Sequence, residues 1–190
     1  MVALVVGLAL FLGMHSVAIV SPGFRERVCS RLGEGAWKGL YTLVSLAGLV
    51  LIVYGFGMAR QDGIVLYSPP SWLRRVALVV MLPVFPLLIA AYLPGRIQTA
   101  AKHPMLASVK LWAFAHLLAN GSLPDVLLFG GFLVWAVADR ISLKRRAPRF
   151  KPNAPPGRWN DAIAVVLGLA IYFVTIGWIH VWLFGVSPLN

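Results

Sequence analysis

The sequence predicts an all-α fold, a polytopic membrane helix bundle of about six transmembrane helices forming one integral membrane domain over residues 1–190. Three observations lead there. Of the 190 residues 59% are hydrophobic and only 12% charged, mean hydropathy is +0.82, and the apolar residues gather into long runs. One soluble core of this length cannot hide so much apolar surface. A helix rising about 1.5 Å per residue needs about 20 apolar residues to cross roughly 30 Å of hydrocarbon, and that length places the spans.

Residues 2–20, 37–58, 73–93 and 163–184 are long apolar runs. Residues 106–119 form a shorter one unless its helix begins near Thr99, and residues 124–141 follow a tight Asn120-Gly121 turn. The first run differs from a cleavable signal peptide, since no basic residue precedes it and no small-x-small site clearly follows Val20. It is read as a retained helix. Six spans put fourteen basic residues on one side (Arg25, Arg27, Arg31, Lys38, Arg96, Lys102, Lys110, Arg140, Lys144, Arg145, Arg146, Arg149, Lys151 and Arg158) and three on the other (Arg60, Arg74 and Arg75). Cytoplasmic loops are the ones enriched in Lys and Arg, so both termini are expected in the periplasm of a bacterial inner membrane. The same rule accounts for the net charge of +11 without a nucleic-acid partner. Cys29 stands alone and has no internal disulfide partner.

In the first helix His15 is the one strongly polar side chain, on a face with Leu4, Leu8 and Phe11. A histidine at membrane depth is expected to face the bundle interior and to have a partner, either another helix or a metal. Residues 21–35 carry Arg25, Glu26, Arg27, Arg31 and Glu34 and read mostly as a solvated cytoplasmic turn, some of whose arginines can meet an anionic group. Gly39, Ser45, Gly48, Gly55 and Gly57 permit close helix approach in the second span. Tyr67 and Trp72 flank the turn Ser68-Pro69-Pro70-Ser71 as interface anchors, and Pro83 and Pro86 are expected to kink the third helix.

Residues 102–121, KHPMLASVKLWAFAHLLANG, concentrate unusual chemistry in an apolar setting. His103 precedes Pro104 and belongs at or before the helix start. His116 lies thirteen residues later, roughly 20 Å along a helix, so one metal cannot readily use both. Lys110 falls on nearly the same face as His103, whereas His116 shares a face with Trp112 and Asn120. Gly130 and Gly131 suit close packing, Asp139-Arg140 suits a local ion pair, and residues 142–160, basic and with Pro148, Pro152, Pro155 and Pro156, read as an exposed connector. Tyr172, Thr175, Trp178, His180 and Trp182 fall near the external interface, where aromatic residues and a wet histidine are ordinary.

Several chemistries find no support. No Gly-x-Ser-x-Gly elbow, P-loop or Gly-x-Gly-x-x-Gly fingerprint occurs, and four scattered histidines do not advertise zinc. Two intramembrane histidines on different helices suit a b-type haem, whose iron takes an imidazole on each side.

The pieces MHSVAIVSPGFRERV, KHPMLASVKLWAFAHLLANG and LLFGGFLVWA resemble the NnrU family, small bacterial inner-membrane proteins associated with denitrification gene clusters, and the likeness covers nearly the whole chain. More distantly they resemble the zeta-carotene isomerases, integral membrane enzymes that use haem b. That second resemblance implies haem ligands at His15, in a His-Ser element, and at His116, thirteen residues after an Arg-His-Pro-like motif that holds His103. It departs at Lys102, which replaces the motif arginine, at Ala59, where a further functional histidine would fall, and at Ala113, where a cysteine would fall.

The resulting expectation is a membrane protein that binds haem b through His15 and His116, with Arg25, Arg96 and Lys110 as candidates for the propionates. His103 and His180 are the alternative partners. Its role would lie in nitrogen-oxide metabolism or a related redox or isomerase step, beside a redox partner or denitrification enzymes. A cofactor-free scaffold or assembly factor is the competing class. The tripeptide Lys102-His103-Pro104 also resembles the Arg-His-Pro motif of membrane methyltransferases that use S-adenosylmethionine.

Overall fold

A computed structural model describes residues 1–21, 23–62, 64–145 and 154–189. Gly63 and, from the expected basic connector, Arg146, Pro148, Arg149, Lys151 and Pro152 lie outside the described residues. Among the described residues the regular structure is helical apart from an isolated bridge between Val65 and Ser122. Its α-helices are α1 (Val2–Val20), α2 (Phe24–Ala59), α3 (Ser71–Met81), α4 (Val84–Ala90), α5 (Arg96–Ala101), α6 (Pro104–Ala119), α7 (Leu123–Ser142), α8 (Asn160–Val174) and α9 (His180–Phe184).

Among the described residues four segments, not six, are long and apolar enough to cross a membrane: Val2–Val20, Phe24–Ala59, Ser71–Ala90 and Asn160–Phe184. The expected fourth span, α6, has 16 residues, about 24 Å of rise, short of the hydrocarbon thickness. The expected fifth, α7, has 20 residues but includes Asp125, Asp139 and Arg140, and charge at membrane depth costs a few kcal/mol per residue. Those charges lie near its two ends and leave residues 126–138 uncharged.

Packing divides the chain into two compact units, Met1–Ser68 with Asn120–Ala147, and Pro69–Ala119 with Pro148–Asn190. In the first, α1 and α2 run antiparallel and touch through glycine. A Cβ on Gly7 would stand 2.6 Å from the Ile52 nitrogen, one on Gly48 2.7 Å from the Phe11 nitrogen, and one on Gly55 against the Leu4 backbone. Lipid offers no hydrophobic drive for helices to associate, so close backbone contact of this kind supplies the attraction. Gly39, Gly57 and Gly130, also expected to serve packing, meet nothing within 4 Å. Gly131 makes only ordinary contact, 3.5 Å from Leu12 Cδ1 of α1.

α2 begins thirteen residues earlier than its expected span because the supposed turn at 21–35 is largely helical. Gly33 interrupts it with φ 84° and ψ 159°, a region open in practice only to glycine. Gly33→Ala is therefore expected to lose about 1–3 kcal/mol, read as a lower unfolding midpoint in detergent.

Residues 120–122 form a short link between α6 and α7, tied down by the loop after α2. Leu66 and Tyr67 donate their N–H groups to the Gly121 carbonyl at 2.9 and 3.2 Å, and Leu123 N–H donates to Ile64 O at 2.8 Å. Tyr67 Oη donates to Asn120 O at 2.7 Å. Burial, with the nearby Asp125 carboxylate, pushes the Tyr67 phenol above its ordinary range, which keeps the donor proton in place at neutral pH. Ser122 and Asp125 then cap α7 reciprocally, with Pro124 in the first turn. This Ser-x-x-Asp box is legible in the sequence.

In the second unit, Pro83 interrupts the third expected span, while Pro86 lies within α4. α3 stops at Met81, and α4 restarts at Val84 because Pro83 has no N–H to continue the ladder. Leu82 N–H turns to Val79 O at 3.2 Å, which releases the Leu78 carbonyl. Tyr172 Oη of α8 donates to that carbonyl at 3.0 Å. Tyr172 is only 3% exposed, so it is a buried tether and not the interfacial aromatic expected from its sequence position. Tyr172→Phe should cost about 1–3 kcal/mol of stability by leaving a buried carbonyl unsatisfied, seen as a lower midpoint than that of Tyr54→Phe at an exposed site.

A Cβ on Gly168 of α8 would strike Pro86 of α4, and Ser108 of α6 donates to Val84 O at 2.8 Å. Asp161 at the start of α8 accepts from the N–H groups of Arg96 and Ile97 at 2.9 and 3.0 Å. A carboxylate distant in sequence thus caps α5.

Candidate functional site

His15 stands one turn before the end of α1, in the first unit, and its ring is half-buried among aromatic side chains of three helices. Phe11 of α1 stacks on it at 4.2 Å, Tyr41 of α2 lies at 5.2 Å, and Trp135 of α7 meets it edge-on at 6.0 Å between centroids. α7 also brings Asp139 within electrostatic reach of the imidazole. His15 Nδ1 lies 2.7 Å from Phe11 O. A carbonyl only accepts, so Nδ1 carries the proton and the lone pair of the neutral ring sits on Nε2. Trp135 Nε1 is buried with no hydrogen-bond partner among the described residues, and a buried indole N–H ordinarily has one.

His116 repeats the pattern in the second unit. It is half-buried near the end of α6, its Nδ1 lies 2.7 Å from Trp112 O, and the two rings are 5.3 Å apart. The expectation that His116 and Trp112 share a face is met. Nδ1 donates here too, which puts the neutral ring's lone pair on Nε2. A carbonyl-bound Nδ1 is the outer-shell arrangement that fixes a metal-binding imidazole's tautomer and orientation.

The other candidates separate clearly. His103 immediately precedes α6, and its carbonyl accepts from Ala107 N–H at 3.1 Å. It therefore stands at the opposite end of α6 from His116. Lys102 before it adopts a positive φ of 60°. Lys110 is half-buried midway along α6. Arg25 pairs with Glu34 at 3.3 Å, and Lys38 reaches the same oxygen at 3.3 Å. Arg96 opens α5, its backbone held by Asp161. His180 follows a π-helical turn, Thr175–Ile179, and its Nδ1 donates to Val186 O at 2.7 Å. Trp178 and Trp182 beside it are highly exposed, which agrees with an interfacial belt.

Among the described residues, no group of three or more His, Cys, Asp or Glu side chains gathers so as to hold a metal ion. Haem ligation needs only two. Sequence reasoning did not find Tyr41 and Trp135 as neighbours of His15. Trp135 lies within the quoted piece LLFGGFLVWA, and that was its only signal.

Long apolar helices in glycine-mediated contact, with half-buried histidines near helix ends, define an all-α membrane protein. Its family is NnrU: the NnrU protein family model matches residues 3–188, and the chain belongs to that family. Comparison with curated proteins and with solved structures gave no match.

Proposed function

We propose that this NnrU-family protein binds haem b, which His15 and His116 would hold, and that it serves nitrogen-oxide metabolism or a related redox or isomerisation step. The observation carrying the reading is the shared state of the two imidazoles. Each donates Nδ1–H to a carbonyl one turn earlier at 2.7 Å, the state in which Nε2 can donate its lone pair to iron. The buried, unpartnered Trp135 N–H beside His15 adds a polar donor in an otherwise apolar setting. Bound haem would supply a one-electron couple or a Lewis-acidic iron. The chain's own contribution would be to hold both rings in one tautomer and to surround the His15 ring with Phe11, Tyr41 and Trp135, which limits water at that face.

Placement in the inner membrane with periplasmic termini is supported by the fourteen-to-three division of basic residues. That division is indifferent to whether α6 and α7 cross, because the turn between them, residues 120–122, holds no Lys or Arg. Of the propionate candidates Arg25 is already paired with Glu34, which leaves Arg96 and Lys110 better suited.

The test is a reduced-minus-oxidised absorption spectrum of protein purified from haem-replete cells. A bis-histidine b-type spectrum is expected. A preparation that is colourless and stays so after haem addition overturns the reading and favours a cofactor-free scaffold.

A further inference from the structure

Residues 24–32 precede the Gly33 break and form a short helix of their own. A continuous helix would hold Phe24 and Trp37 about 20 Å apart along its axis, yet their rings lie 6.1 Å apart. The break at Gly33 folds the segment back against the start of the long apolar helix. At 100° per residue, Arg27, Arg31, Phe24, Val28 and Leu32 fall in that order on one continuous arc. These five side chains line an open cavity of about 520 Å³. Two of its lining residues remain well exposed, Leu32 at 69% and Phe24 at 41%.

Charge distinguishes this arc from an ordinary basic turn. Arg25, off the arc, is neutralised by Glu34. Among the described residues Arg27 donates to a neutral hydroxyl, Ser21 Oγ at 3.1 Å, and neither it nor Arg31 has an acidic partner. The cavity therefore presents two uncompensated guanidinium groups beside an apolar strip. That is the complement of a phosphate attached to hydrocarbon.

We propose that residues 24–32 are an interfacial helix and that the cavity between Arg27 and Arg31 takes the phosphate headgroup of an anionic phospholipid, with Phe24, Val28 and Leu32 against its glycerol and acyl region. The site is independent of haem, so either proposal can fail without the other. On the membrane face where basic residues concentrate, anionic lipid is the abundant phosphate source.

The full chain is purified and given phosphatidylglycerol or phosphatidylcholine, and retained lipid is read by native mass spectrometry. Phosphatidylglycerol should be retained preferentially. Arg27→Gln with Arg31→Gln should weaken that preference roughly 30-fold, each basic residue near an anionic surface contributing about a factor of five. Arg74→Gln with Arg75→Gln, at the start of α3, should leave it intact. If the first double variant does not fold, Arg31→Gln alone carries the test, with about a fivefold loss expected. The proposal is overturned if the Arg27/Arg31 variant keeps the preference or if the Arg74/Arg75 variant loses it equally. It is also overturned if inorganic phosphate competes the lipid off, which would mark a site for free anions.

Discussion

Gly55→Ala should destabilise the α1–α2 pair by about 3 kcal/mol, at the upper end of what an added methyl costs in a packed interior. The new Cβ would meet the backbone of Ala3 and Leu4, and a backbone cannot swing aside as a side chain can. The two helices would have to separate, weakening the neighbouring contacts at Gly7 and Gly48 as well. Gly57→Ala, two residues along the same helix, is the natural control, since its Cβ meets nothing within 4 Å. That change should be neutral or slightly stabilising, because alanine favours the helix by roughly 0.5–1 kcal/mol over glycine. Unfolding midpoints in a denaturing-detergent titration give the comparison. Equal midpoints for the two variants would refute the glycine-contact account of this helix pair.

His15→Ala and His116→Ala are each expected to abolish the bis-histidine spectrum. Loss of an outer-shell partner alone typically costs roughly 10–100-fold in metal affinity, and removing the ligand itself should cost at least that much. His103→Ala should retain the spectrum, because His103 precedes α6 and stands at the opposite end of that helix from His116. Trp135→Phe should keep the haem but shift its reduction potential, since Trp135 meets the His15 ring edge-on at 6.0 Å and polar groups around a ligand tune the metal. Full retention of the spectrum in both His15→Ala and His116→Ala would reject the ligand assignment, whatever the wild-type protein binds.

Much of this molecule was readable before any coordinates. Pro83 foretold a disturbed third helix, Asn120-Gly121 foretold a break between two helices, and the thirteen-residue gap foretold that His103 and His116 stand at opposite ends of one helix. These depend on local backbone chemistry, which travels with the sequence. Contacts between helices were less readable. Of the five small residues singled out on α2, Gly48 and Gly55 make close backbone contact with α1 while Gly39 and Gly57 meet open space. The difference depends on which side of α2 faces α1, and composition alone does not say. Tyr172 was misplaced for a similar reason. Its tether to Leu78 exists only because the break at Leu82-Pro83 frees a carbonyl on another helix.

By itself the sequence determined the class: helical, apolar and suited to a membrane, with most basic residues outside the long apolar runs and two histidines within them. Hydrophobic run length and charge placement are properties of the chain, and the bilayer acts on them directly. Tertiary structure decided the rest. Among the described residues it reduced six expected spans to four that are long and apolar enough. It turned a supposed loop at 24–32 into a folded-back helix. Around His15 it gathered Phe11, Tyr41 and Trp135 from three separate helices. The physical reason is that packing depends on the relative rotation and approach of helices, set by atoms far apart in the chain. The orientation of the His15 and His116 imidazoles, by contrast, comes in each case from a carbonyl one turn away on its own helix.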